Sequence, residues 1–139
     1  MNIVSLLEKN SELFGEKICF NTKSNSYSYS KIRNMVGRAI ERLKAAGISK
    51  NDGVILLEPI SVRLYVLMMA LWAIGAYVIV FDPSATPEYI EKCLSRVKPR
   101  FFIGSAKAML LKLTLKPLQR LPSFRVKQFY TEKAASGVL

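Results

Sequence analysis

The stretch LYVLMMALWAIGAYVIVF, residues 64–81, carries no charged side chain along its whole length. Two readings compete for it: a membrane span, or a helix and a strand buried in a globular core. A span needs about 20 apolar residues in one unbroken helix. Here Gly75 interrupts the run where a helix should stop. The residues after it, AYVIVF, are rich in β-branched and aromatic side chains and are ended by Asp82 and Pro83. Ser61, just upstream, offers an N-cap. The run is therefore predicted as a helix of about 14 residues followed by a strand of about six.

That reading sets the rhythm of its neighbours. Upstream, VILLE (54–58) is a continuous apolar run stopped by Pro59, as expected of a buried strand. Before it, Ile32, Met35, Val36, Ala39, Ile40 and Leu43 recur at helical spacing, with Ser30 as a candidate cap and Gly47 as the terminator. Residues 2–14 read as a short helix. KICFNTKSNSYSYSK (17–31) reads as two strands around a polar turn.

Downstream, Pro87 opens a helix through PEYIEKCLSRV. RFFIG (100–104) is a second buried strand, and Ser105 caps AKAMLLKLTLK, a helix that Pro117 should end or kink. FRVKQFY (124–130) alternates like a strand. From residue 53 onward strands and helices alternate, which implies an α/β fold: a mostly parallel sheet with helices on both faces, preceded by a small N-terminal helix and a β-hairpin. The 139 residues are expected to form one domain, with 122–139 as an irregular tail.

Composition excludes several kinds of chemistry. The chain has no histidine, which removes Ser-His-Asp triads, Cys-His pairs and histidine metal sites. It has neither a GxxxxGK[ST] nor a GxGxxG loop. Cys19 and Cys93 lie far apart in no metal or redox spacing and read as buried thiols. The N-terminus lacks the basic region of a signal peptide, so a cytoplasmic location is expected, with a peripheral membrane association as an option.

Charge is lopsided, with 21 Lys and Arg against 10 Asp and Glu. Ten of the basic residues fall between positions 92 and 131, where there is no acidic residue at all. Such an excess points to a solvated face or to an anionic partner. Lys112, Lys116 and Arg120 repeat every four residues and would share one helical face if the helix ran through Pro117. Beside Leu110, Leu111, Leu113 and Leu115 they make a basic amphipathic segment, a candidate contact surface for an anionic membrane or an acidic protein. Nucleic acid is disfavoured, because the aromatic residues sit at core positions rather than where bases could stack.

Several pieces stand in a recognisable order: YSYSKI (27–32), GISKNDGVILLEPIS (47–61), ALWAIGAYVIVFDPS (70–84) and IEKCLSRVKPRFFIGS (90–105). Together they resemble the N-terminal part of the acyl-adenylate-forming enzymes, the superfamily of acyl-CoA synthetases, luciferases and peptide-synthetase adenylation domains. LEPIS, VFDPS and FFIGSAKAMLL look most similar to the subgroup acting on long-chain acyl substrates, including the β-lactone synthetases of olefin biosynthesis. Asn51 stands where that family usually has Gly, and Lys31 where it usually has Glu.

The resemblance implies a parent enzyme that uses ATP and Mg²⁺ to convert a fatty or hydroxy-fatty carboxylate into an acyl-adenylate. The family's phosphate loop, its nucleotide-contacting motifs and its late catalytic lysine have no counterpart in these 139 residues. No catalytic, cofactor-binding or metal-ligating residue is therefore assigned. The chain alone is expected to be inactive, as an N-terminal fragment whose partner is the remainder of the ligase, in cis or in trans. Asp52 reads as a turn residue, Asp82 as a strand terminator, and Tyr29 and Trp72 as core. The alternative is a stand-alone, non-catalytic module that binds through its basic C-terminal half.

Overall fold

The computed structural model describes residues 2–82 and 84–130. The uncharged run divides as its chemistry requires. Helix α3 spans Val62–Ile74; the Ser61 hydroxyl accepts from the Leu64 N–H at 3.2 Å, and Gly75 ends the helix at φ +87°. The Gly75 and Ala76 N–H groups donate to the Trp72 and Leu71 carbonyls, so a glycine in the left-handed region satisfies two carbonyls that the last turn leaves open. Strand β4 follows over Tyr77–Ile79. It is shorter than expected because it is an edge strand, paired only with Gly53–Ile55; Val80 beyond it is largely exposed. No helix among the described residues is long and apolar enough to cross a membrane.

Helix α1 covers Ile3–Phe14, and strands β1 (Ile18–Asn21) and β2 (Ser26–Ser28) form the antiparallel hairpin. Helix α2 spans Tyr29–Ala45. Its cap is Ser28, whose hydroxyl accepts from the Lys31 N–H; the expected cap, Ser30, is already inside the first turn. Ser28 wins because its extended backbone (φ −73°, ψ 163°) aims the hydroxyl at the open N–H groups. The remaining elements are β3 (Gly53–Leu57), α4 (Pro87–Val97), β5 (Phe101–Gly104), α5 (Ala106–Thr114), α6 (Lys116–Gln119) and β6 (Ser123–Arg125).

Strands β3 to β6 form a parallel sheet in the order β4-β3-β5-β6. Alternation along the strands divides the core in two. Val54, Leu56, Phe101 and Ile103 meet α1, α2 and α3 on one face; Ile55 and Phe102 meet Ile90, Leu94, Ala108, Leu115 and Leu118 of the α4–α6 region on the other. The face changes where the strand order reverses. The β3-to-β4 step runs one way with α3 on the first face, and the later steps run the other way with α4 to α6 on the second. All three crossovers therefore share one hand. An apolar helix such as α3 fits this scheme because it lies against the sheet, α1 and α2 at once.

Two expectations near the C-terminus are corrected. Strand β6 has three residues rather than the seven of 124–130; Val126–Gln128 turns into a 3₁₀ helix, which buries Val126 and then Phe129 and Tyr130. Residues 123–128 thus form a strand and a 3₁₀ helix rather than irregular tail, whereas 131–139 lie outside the described residues. Helix α5 breaks just ahead of Pro117, as expected. The helix stops at Thr114, Leu115 turns extended (φ −112°, ψ 105°) and buries its side chain, and Pro117 sits in the first turn of α6, where its missing N–H costs nothing.

Candidate functional site

In an open parallel sheet, ligands favour the carboxyl ends of strands at the point where the order reverses. Here that point lies between β3 and β5, whose chains leave for opposite faces. Beyond β3, the Glu58 carboxylate is 2 % exposed; its Oε1 lies 3.0 Å from Nη2 of the half-exposed Arg63 and makes no hydrogen bond of good geometry. The Ser61 hydroxyl also donates to the Pro59 carbonyl, which stiffens the turn into α3. A neighbouring cavity of about 400 Å³ is lined by Thr22, Ser24 and Asn25 of the hairpin turn, by Tyr27 and Tyr130, and by Ile60, Ser61, Val62 and Arg63. Its hydroxyl, amide and guanidinium groups can hold a polar ligand. They include no acid–base pair.

A second concavity, of about 520 Å³, lies between α1 and α2 and is lined by Glu8, Arg33, Arg38 and Glu41 among apolar neighbours.

The two aspartates occupy structural positions. Asp52 precedes β3, at the opposite end of the sheet. It accepts from the Ser49 N–H at 2.9 Å, the Ser49 hydroxyl at 3.1 Å and Arg100 Nη1 at 2.7 Å. Burial works to raise its pKa, but the Ser49 and Arg100 hydrogen bonds and the Arg100 charge outweigh it and hold the carboxyl below its usual range. Arg100 leads into β5 and its N–H donates to the Gly53 carbonyl, so this cluster ties the entrances of β3 and β5. Asp82 accepts from the Ser84 hydroxyl and N–H, which lower its pKa in an exposed turn. Tyr29 packs at the rim of the first core, as does β1 through Cys19; Cys19 and Cys93 are both free thiols. Trp72 is half-buried, and its carbonyl accepts from Asn2 Nδ2 at 3.1 Å.

The predicted basic stripe is not one helical face. The break at Leu115 puts Lys112 on α5, Lys116 on α6 and Arg120 at the α6 C-cap. Lys112 is half-buried and its Nζ donates to the Leu121 carbonyl at 2.8 Å, so it staples α5 to the following loop. Lys116 and Arg120 remain exposed. Sequence periodicity could not show which leucines of α5 face out: Leu110 and Leu113 are 64 % and 68 % exposed. The Glu58–Arg63 pair also escaped sequence reasoning, although its spacing across a strand-to-helix turn was a usable signal.

Both departures from the family pattern have local explanations. Asn51 adopts φ +68°, a left-handed backbone suited to the family's Gly and, among other residues, best tolerated by Asn. Lys31 places its ammonium 4.6 Å from the centre of the Tyr27 ring.

Among the described residues no three Cys, Asp or Glu side chains converge as metal ligands. The fold closely follows that of solved adenylating proteins. The N-terminal subdomain of NpsA from Klebsiella oxytoca, in complex with 3-hydroxybenzoyl-AMSN, matches 92 % of this chain at 19 % identity and a TM-score of 0.77; the match covers 31 % of that chain. The artificially fused adenylation–PCP di-domain NpsA-ThdA matches 98 % at 18 % identity and a TM-score of 0.79, over 25 % of its own length. O-succinylbenzoate coenzyme A synthetase (MenE) from Bacillus subtilis, in complex with AMP, matches 96 % at 14 % identity and a TM-score of 0.77, over 34 % of its length. The chain thus spans about a third or less of each of these structures. The model of the AMP-binding enzyme family matches residues 7–135, and the chain belongs to that family.

Proposed function

We propose that this chain is the amino-terminal part of an ATP-dependent acid ligase. In the whole enzyme a carboxylate oxygen attacks the α-phosphorus of ATP, pyrophosphate leaves, and an acyl-adenylate remains for transfer to an acceptor or for ring closure. The observation that carries this reading is the family match, which runs through nearly all of the α/β unit. Acid activation needs donors organised around the phosphates and cations to offset the developing charge. Those are assigned to the rest of the ligase, joined in cis or supplied in trans. ATP and Mg²⁺ belong to that assembled enzyme. The role of this chain is to set a rigid sheet edge against it. The Glu58–Arg63 pair and the Ser61 cap hold the turn at the carboxyl end of β3, beside the polar cavity.

For the acid we propose a fatty or hydroxy-fatty carboxylate. Support comes from the likeness of LEPIS, VFDPS and FFIGSAKAMLL to the long-chain subgroup. The solved relatives carry aryl groups in their names, 3-hydroxybenzoyl for NpsA and o-succinylbenzoate for MenE, so aryl acids are the natural competitors.

The test is ATP–pyrophosphate exchange with radiolabelled pyrophosphate, over a panel of fatty, hydroxy-fatty and aryl acids. The chain alone should give no exchange. Supplied with the polypeptide that carries the rest of the ligase, it should exchange with the aliphatic panel. Preference for aryl acids would overturn the substrate class. Exchange by the purified chain alone would overturn the assignment of the chemistry to the remainder.

A further inference from the structure

Helix α5 is turned so that Ala108 faces the sheet while Leu110 and Leu113 face out, each about two-thirds exposed. Ala106 lies on the same outer side, and Lys107 flanks it. Gln119 Nε2 donates to the Leu113 carbonyl at 2.7 Å, which ties α6 to the end of α5, and Lys116 and Arg120 of the α6 segment are exposed. Among the described residues none of Lys107, Lys116 and Arg120 forms an ion pair; the two salt bridges use Arg63 and Arg100. No acidic residue occurs from Lys92 through Tyr130 to pair with them.

We propose that this outer face of α5, with Leu110 and Leu113 framed by Lys107, Lys116 and Arg120, docks the protein on an anionic lipid surface. Two leucines presented outward beside three unpaired cations match the two layers of such a surface: acyl chains accept the leucines and headgroup phosphates the cations. Neither cavity described above is lined by α5 or α6, so the face is not part of a described groove. A bilayer requires no shape-matched groove, whereas a protein ligand bound through one short helix would need complementary relief. Lys112 takes no part, because its ammonium is committed to the Leu121 carbonyl.

Sedimentation of the full chain with vesicles of phosphatidylcholine, with and without phosphatidylserine, tests the proposal. Binding should require phosphatidylserine and fade at high salt, as screening predicts. Each basic residue near an anionic surface contributes about fivefold in affinity, so neutralising all three in Lys107→Gln/Lys116→Gln/Arg120→Gln should weaken binding on the order of 100-fold. Leu110→Ser/Leu113→Ser should also weaken binding while keeping its salt dependence. All five positions are exposed, and unchanged circular dichroism and melting would establish that the variants fold. No binding at low salt overturns the proposal, as does equal binding by the triple variant. If the chain ignores vesicles but binds an acidic peptide, and the triple variant does not, the face belongs to an acidic protein segment and lipid docking is wrong.

Discussion

Asp52 is the residue at which local chemistry is most concentrated. It is 3 % exposed, yet it accepts from the Ser49 N–H, the Ser49 hydroxyl and the Arg100 guanidinium. Because these interactions hold its folded pKa below the ordinary value, the folded state binds a proton less readily than the unfolded chain. The resulting stability is fully present above the ordinary carboxylate range and is lost as pH falls through it toward the depressed folded value. Asp52→Asn should therefore destabilise by about 2 kcal/mol near neutral pH, the size of a charged hydrogen bond. Urea denaturation should show the gap between the two proteins closing as pH falls below about 4. A gap that stays constant with pH would remove the charge from the account. The sequence reading of Asp52 as a turn residue was right in kind, but its partner lies 48 positions away and no local pattern points to Arg100.

At the scale of one element, α3 and its glycine stop decide how the uncharged run is divided. Gly75 sits at φ +87°, and a Cβ there would also come within 3.0 Å of the Lys50 side chain. Gly75→Ala should cost about 1–2 kcal/mol, from the left-handed backbone alone. Gly37, inside α2, is the opposite case: it is exposed and a Cβ there meets nothing within 4 Å. Gly37→Ala should stabilise by about 0.5–1 kcal/mol through helix propensity. Thermal melts of the two variants should move in opposite directions. The sign of each effect comes from backbone position, which the two glycines do not reveal by identity.

For the whole molecule, the decisive feature is a sheet covered on both faces. Phe102 is fully buried in β5 and faces the α4–α6 side. Phe102→Ala should cost about 3–5 kcal/mol, because the neighbours from three helices cannot all close on the void. Leu113→Ala, on the outer face of α5, should stay within about 0.5 kcal/mol of the unchanged chain. Chemical denaturation of the pair separates a core position from a surface one that hydrophobicity alone ranks together. The proposed enzyme is also a whole-molecule property, since the chain covers about a third or less of the solved adenylating structures it follows.

The elements themselves were legible in the residues: Ser61 and Gly75 bracket α3, Pro87 opens α4, and the apolar runs at 54–58 and 100–104 become β3 and β5. Caps, terminators and apolar runs act over a few residues, so they can be read one after another. The strand order, the extent of β4 and β6, the Asp52–Arg100 tie and the buried Glu58–Arg63 pair were decided by tertiary structure. So was the fate of the basic stripe, which Leu115 breaks by turning into the core and Lys112 leaves by reaching the Leu121 carbonyl. Local spacing determines which side chains can share a face; which face finds a neighbour depends on segments brought together from far along the chain.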